Sequence, residues 1–186
     1  MGRKTNPWST NEVVKVLKSL KVNKASDPVG LVNEIFKPGV AGDNLIQSLV
    51  ILCNMIKEEC QLPAFLELAN ITSIYKNKGS KLDLNNDRGI LSVTCLRSIM
   101  DKLMYNDFYE TIDNNLSDSN VGGRRNRNIR DNLFIVYGII NNAIQINLDV
   151  DLNLYDVAKC FDALWHAETM NDMWNVEVNN EKFVHE

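Results

Sequence analysis

Apolar residues recur at helical spacing in several stretches of the chain. The first begins with Ser9-Thr-Asn-Glu12, which has the form of a capping box, and apolar positions follow at three- and four-residue intervals up to Leu20. All four prolines lie outside these stretches, as expected for residues that interrupt helices. The pattern predicts helices over residues 10–20, 31–37, 43–60, 95–112 and 129–144.

Two shorter stretches are rich in β-forming residues, and a basic turn that contains a glycine lies between them. Residues 68–76 and 87–93 are therefore predicted to pair as a β-hairpin. The cations at one end of this hairpin are Lys76, Lys78, Lys81 and Arg88. They are either ordinary loop charges, which their spacing alone favours, or a clamp for phosphate groups.

Residues 146–154 alternate strictly between apolar and polar types, which predicts a half-buried strand. Asp156 keeps the parity of the apolar set, so we expect its carboxylate to face the core or a cleft. A carboxylate there is costly to desolvate unless it is paired, protonated or bound to a metal. The alternative is that Asp156 caps a helix that the spacing of Phe161 and Trp165 indicates just downstream.

The composition indicates one domain of ordinary size. The chain has 186 residues, of which 45% are hydrophobic, so it can bury a sizeable core. Its formal net charge is -4, so any nucleic-acid surface must come from local clustering of cations. The arginine cluster, which directly precedes the helix predicted from residue 129, consists of Arg124, Arg125, Arg127 and Arg130. Guanidinium groups and the amides at a helix start both bind phosphate.

The four cysteines, Cys53, Cys60, Cys95 and Cys160, lack the spacing of a zinc site. We expect core thiols in a reducing compartment instead. No apolar run approaches the ~20 residues that span a bilayer, and the N-terminus lacks the apolar segment of a signal peptide. The sequence therefore predicts an intracellular protein of the cytoplasm or nucleus that does not enter a membrane.

Five segments carry motif-like patterns. Residues 24–30, KASDPVG, resemble KAxGPDG, and residues 69–79, ANITSIYKNKG, resemble AxIxxIxKxG. Residues 86–90, NDRGI, resemble NYRPI, and residues 120–131, NVGGRRNRNIRD, resemble QxGFRxGRSxxD. Residues 156–166, DVAKCFDALWH, resemble DxxKAFD followed by a tryptophan. In this order and at this spacing, the sequence resembles the reverse transcriptase domain of non-LTR (LINE-like) retrotransposons.

The resemblance implies an α+β fold: a partial right-hand polymerase made of fingers plus the first palm strand, helix-rich and with a fingers β-hairpin. The whole chain, 1–186, would form a single partial domain. Its fingers would cover about 8–135, and a truncated start of the palm would cover about 136–186.

The implied activity is RNA-directed DNA polymerisation, a nucleotidyl transfer assisted in the intact family by two Mg²⁺ ions. Asp156 would be catalytic, and its carboxylate and the backbone carbonyl of Val157 would bind the metal. The dNTP would be held by Lys76 and Arg88 at its phosphates, with Phe161 as the aromatic gate that excludes a 2′-hydroxyl.

The remaining implied partners are an RNA template and a DNA primer, whose backbones would be held by Arg124 and Arg127. The family's later motifs, SxGxxQG and (F/Y)xDD, do not occur in this sequence. Without the second metal-binding aspartate, Asp156 and one carbonyl are not expected to hold Mg²⁺ stably. We therefore expect this chain to be inactive alone and to need the missing palm and thumb segments.

Two alternatives to a polymerase fragment stay open. One is a non-catalytic retroelement remnant, and the other is a nucleic-acid-binding module that uses the arginine cluster.

The sequence also departs from the family's opening block, KAxGPDG, because Asp27 and Val29 replace its glycine and aspartate.

Overall fold

The computed structural model describes residues 6–157 and 164–175 as a mixed α+β protein, so the expected helix-rich α+β class with one hairpin is confirmed. The regular elements of this part of the chain are α1 (Thr10–Ser19), α2 (Asp43–Glu59), β1 (Ala69–Tyr75), β2 (Asp87–Val93), α3 (Cys95–Asn115), α4 (Ile129–Gln145) and α5 (His166–Asn175). Short 3-10 turns lie at Asn33–Phe36, Ala64–Leu66 and Leu84–Asn86.

The start of α1 has the capping box that the sequence predicts. The backbone N–H of Glu12 donates to Ser9 Oγ at 3.3 Å, and the Glu12 carboxylate accepts from the Ser9 backbone N–H at 2.8 Å. Two of the amides that a helix start leaves without partners are thereby satisfied. The buried residues of α1 are Val13, Val16 and Leu17, which follow the predicted apolar spacing.

The described residues fall into two compact units, 6–107 and 108–175, and α3 begins in the first unit and ends in the second. The first unit holds the hydrophobic core, where α1, α2 and the first half of α3 bury their apolar faces together. Its most deeply buried large side chains are Val13, Leu17, Leu66, Ile99 and Leu103. Each such side chain contributes about 1.5–3 kcal/mol by leaving water.

Trp8 attaches the N-terminal segment to this core through polar contacts. Its backbone N–H and C=O bond the Asn54 side chain at 2.7 and 2.9 Å, and its indole N–H donates to the Asp107 carboxylate at 3.0 Å. The Lys57 ammonium lies 4.0 Å from the Trp8 ring centre and 2.8 Å from Asp107 Oδ2, with a side chain only 4% exposed. This buried cation is thus paired and also packed on an aromatic face.

β1 and β2 pair antiparallel, with Ala69 opposite Val93 and Tyr75 opposite Asp87. The predicted hairpin, 68–76 with 87–93, is confirmed to within a residue. Both of its faces are largely exposed, including Ile71 and Leu91 on one side and Ile74 and Ile90 on the other.

The strand predicted over residues 146–154 is wrong. α4 ends at Gln145, Asn147 adopts a left-handed turn (φ 56°), and residues 148–157 form neither helix nor strand. Alternation supplies an apolar face, but a strand also needs a neighbour for its backbone hydrogen bonds. In the part of the chain described, the two strands β1 and β2 pair only with each other.

The alternative for Asp156, the cap of a helix just downstream, stays a prediction, because residues 158–163 lie outside the described residues; α5 begins at His166. The predicted boundary between fingers and palm near residue 135 falls inside α4 and stays a prediction. None of the helices in the described ranges is long and apolar enough to cross a membrane.

Candidate nucleotide-binding and nucleic-acid-binding sites

The hairpin brings two of the predicted site residues, Lys76 and Arg88, to the same end. Lys76 directly follows β1, and its backbone N–H donates to Asn86 O at 2.8 Å, which continues the ladder by one step. Arg88 lies opposite Ile74. Because side chains alternate along a strand, Lys76 and Arg88 fall on one face of the hairpin and Asp87 falls on the other.

The side chains at this end differ in how far they are already engaged. The Lys76 ammonium donates to Asn85 O at 2.8 Å, and the Lys81 ammonium lies 5.6 Å from the Tyr75 ring. The exposed Arg88 guanidinium has no hydrogen bond or ion pair within the described residues. An anion at this end would therefore meet one free guanidinium and one ammonium with donors to spare.

Asp87 contributes a carboxylate to the same end of the hairpin, but its contacts are on the other face. Its Oδ2 accepts from Ser73 Oγ at 2.5 Å, while its Oδ1 is buried without a hydrogen-bond partner in the described structure. The motif of the resembled family has tyrosine at this position. The aspartate lowers the net positive charge of the hairpin end without lying between Lys76 and Arg88.

Arg124 is held almost entirely by the protein's own groups. Its Nε donates to Asp113 Oδ1 at 2.8 Å, and Nη1 and Nη2 reach the carbonyls of Ser117, Asn120 and Asp113 at 3.0–3.3 Å. Its side chain is only 9% exposed. The hydrogen bond and charge of Arg124 hold the pKa of the Asp113 carboxyl below its usual value. Arg124 therefore braces the loop between α3 and α4.

The other cluster members are more exposed. Arg127 is 42% exposed and reaches Asp118 Oδ1 at 3.3 Å, a long contact to a carboxylate that is itself open to solvent. Arg125 stacks over the Tyr109 ring at 4.1 Å, and its backbone N–H donates to the Tyr109 hydroxyl at 2.7 Å. The structure places Arg124 and Arg127 in one loop with different surroundings.

The start of α4 is capped by its own side chains. Asn128 Oδ1 accepts from the Arg130 amide at 2.8 Å, and Asp131 Oδ2 accepts from the Asn128 amide at 2.9 Å. These contacts occupy amides that the sequence suggested as phosphate ligands. The amides of Asn128 and Arg130 are thus already engaged, which leaves the guanidinium groups as the main candidates for a phosphate contact here.

Asp156 and Val157 lie in an exposed segment without regular structure. Within the described ranges, no group of three or more His, Cys, Asp or Glu side chains could hold a metal ion. One carboxylate and one carbonyl are too few for Mg²⁺, which takes six oxygen ligands and needs the remainder from water or substrate. The described residues thus do not assemble a magnesium site around Asp156. Phe161 lies outside the described residues.

Asp27, which the sequence marked only as a departure from the resembled motif, joins two distant parts of the chain. Its Oδ1 accepts from the amides of Val29 and Leu31 at 3.0 and 2.7 Å, and its Oδ2 accepts from the Cys95 amide, the first of α3, at 2.8 Å. Partial burial raises the pKa of Asp27, but these hydrogen bonds outweigh it and the net pKa lies below the usual value. A sequence gives no signal for a cap whose helix starts so far away.

Two cysteines of the first unit behave as core thiols, as predicted. Cys53 and Cys95 are buried, and burial raises the pKa of each thiol to about 11. A thiol with so high a pKa is protonated at neutral pH and is a poor nucleophile. Cys160 lies outside the described residues.

No family model matches this sequence, and no curated protein matches it either. The resemblance to reverse transcriptases therefore depends on the five sequence patterns and stays a prediction.

Proposed function

We propose that the chain is the fingers and the beginning of the palm of a non-LTR retroelement reverse transcriptase, an RNA-directed DNA polymerase. The support is the resemblance of five segments in order, together with a hairpin at the position where the family's fingers strands occur. The observation that carries the proposal is the placement of Lys76 and Arg88 on one face at one end of that hairpin.

In this proposal the hairpin end is a subsite for the triphosphate of an incoming dNTP. A guanidinium and an ammonium on one face neutralise charge on neighbouring phosphate oxygens through charge-assisted hydrogen bonds. Arg88 forms the bidentate contact, while Lys76 acts as a point charge. In this proposal the chain alone binds the nucleotide but does not polymerise, because its sequence lacks the (F/Y)xDD motif that carries the family's second metal-binding aspartate.

The test is dNTP binding at low salt by the whole chain, measured by calorimetric titration. Replacing both Lys76→Gln and Arg88→Gln is expected to weaken binding by roughly tenfold or more, since each removes a charge-assisted contact. The matched control is Lys24→Gln with Arg97→Gln, which removes the same residue types and charge away from the hairpin. No binding by the wild type, or equal weakening by the control pair, would contradict the proposal.

A nucleic-acid-binding module without chemistry is the second candidate, favoured by the exposure of the Arg127 and Arg130 side chains. It predicts salt-dependent binding of an RNA–DNA duplex that weakens in the Arg127→Gln, Arg130→Gln double variant. Duplex binding without dNTP binding would favour the module over the polymerase fragment. Absence of both kinds of binding would favour a retroelement remnant.

A further inference from the structure

Lysines from three parts of the first unit converge on the C-terminal end of α1. Lys18 lies in its last turn and Lys21 follows it, Lys37 comes just after the 3-10 turn Asn33–Phe36, and Lys102 lies on α3. The Lys37 ammonium donates to Lys18 O at 2.6 Å. The Lys102 ammonium donates to the carbonyl and hydroxyl of Ser19 at 3.3 and 3.2 Å. The carbonyls of two consecutive residues at the helix end, Lys18 and Ser19, thus each accept a hydrogen bond from one ammonium group.

The positive charges of this group act on one another. Partial burial lowers the pKa of Lys102, and the charges of Lys37 and Lys21 lower it further. None of the ion pairs within the described ranges includes a lysine of this group. The nearby acid is Glu34, whose carboxylate accepts from the Asn23 amide at 2.5 Å; this hydrogen bond and, more weakly, the charge of Lys37 hold the pKa of Glu34 below its usual value.

Capping of α1 accounts for only part of this arrangement. A helix C-terminus carries roughly half a negative charge, which a single cation already offsets. Lys37 and Lys102 together already exceed that requirement, and the charges of Lys37 and Lys21 act unfavourably on Lys102. Each ammonium has three donors, and these bonds leave Lys37 and Lys102 with donors that still lack a protein acceptor in the described structure.

We propose that Lys18, Lys21, Lys37 and Lys102 form a phosphate-binding site at the end of α1. Phosphate oxygens accept the remaining ammonium hydrogens and relieve the repulsion among the lysines. The phosphate belongs either to a free polyphosphate or to a nucleic-acid backbone, which present the same chemistry. The site shares no residue with the hairpin subsite or the arginine cluster, so it does not depend on the proposed polymerase function.

The probes are inorganic triphosphate and a single-stranded DNA oligonucleotide, each titrated into the whole chain at low salt. We expect Lys37→Gln with Lys102→Gln to weaken binding by roughly tenfold, because two charge-assisted contacts are lost while a hydrogen-bond donor remains at each position. The control pair is Lys15→Gln with Lys24→Gln, two lysines outside the group, with an expected loss below about twofold. Tighter binding of the oligonucleotide than of triphosphate identifies a nucleic-acid backbone as the source, and the reverse identifies a free polyphosphate.

A second measurement guards against loss of folding in the double variant. Lys21→Gln removes an exposed ammonium that makes no hydrogen bond in the described structure, so it leaves the fold intact and should still weaken triphosphate binding. In the wild type, NMR of the lysine side chains should show the pKa of Lys102 rising when triphosphate is added. Equal losses in the Lys15, Lys24 control, or a Lys102 pKa that does not change, would overturn the proposal.

Discussion

At the scale of single residues, Asp27 shows how one carboxylate orders a segment that composition marks as a turn. It closes its own turn through Val29 and Leu31 and supplies an acceptor to the first amide of α3. Glycine, which the resembled motif has at this position, offers no such acceptor. Asp27 therefore links residues 27–31 to α3 through contacts that a glycine at this position would not make.

Replacing Asp27→Ala should lower the free energy of unfolding by about 1–2 kcal/mol at pH 7, because a helix cap and two turn contacts are lost. The folded pKa lies below the usual 3.8, so this contribution is complete above that value and disappears as the pH falls through the folded pKa. Urea denaturation of both proteins should thus show a difference at pH 7 that shrinks towards acidic pH. Glu67→Gln, at an exposed position, is the control, and a difference independent of pH would contradict the assignment.

Asp107 and Asp101 offer a matched comparison on one helix, α3. Asp107→Ala leaves the buried Lys57 ammonium without its carboxylate and should cost about 3 kcal/mol. Asp101→Ala breaks an exposed pair with Arg97 and should cost less than about 0.5 kcal/mol. Urea unfolding midpoints measure both, and similar costs for the two variants would show that burial of Lys57 is not what matters.

At the scale of elements, the connection of the hairpin depends on a glycine. Gly79 has φ +80°, and a Cβ added there would lie 2.6 Å from the Asn86 side chain. Its carbonyl accepts from the Tyr75 hydroxyl, and the Asn86 side chain donates to Ser80 O at 2.9 Å. These contacts shape the turn that carries the predicted phosphate ligands.

Gly79→Ala is expected to destabilise the hairpin by about 1 kcal/mol or more, because alanine is strained at this φ and displaces Asn86. Gly138→Ala, inside α4 with open space around its Cβ, should instead stabilise its helix by about 0.5–1 kcal/mol. Amide hydrogen exchange read separately over the hairpin and over α4 distinguishes the two effects. Changes of the same sign in both elements would contradict this account.

At the scale of the whole molecule, apolar burial is uneven. The core lies in the first unit, whereas α4 in the second unit buries only Ala143 among the described residues. The large apolar residues that α4 exposes are Ile129, Leu133, Phe134, Ile135, Tyr137, Ile139 and Ile144. An apolar surface of this size on a chain in water favours association.

Phe134→Gln with Ile144→Gln should therefore raise the soluble fraction and lower the fluorescence of a bound hydrophobic dye, with little change in the melting of the first unit. Leu82→Gln is the control, since that residue is 97% exposed but lies in the hairpin connection, outside α4. Sedimentation velocity measures the association directly. A wild-type chain that stays monomeric and binds no dye would show that this apolar surface does not drive association.

The sequence alone determined the local elements. Each of the five stretches with helical periodicity contains a helix in the structure, although the stretch 31–37 forms only the short 3-10 turn Asn33–Phe36. The capping box and the β-hairpin also lie where the sequence predicted them. These features depend on residues within a few positions of one another, so their physical cause is present in the local pattern. The same pattern failed at residues 146–154, because alternation does not specify a neighbouring strand.

Only the tertiary structure determined which charged side chains are engaged by other groups of the protein. Arg124 was predicted as a nucleic-acid contact and that role stays a prediction, but its donors already bond Asp113, Ser117 and Asn120. Lys37 and Lys102 lie far apart in the sequence, and packing brings both to the end of α1. Whether a charged group is engaged or available depends on partners that lie far away in the sequence. A local sequence pattern contains no information about such partners.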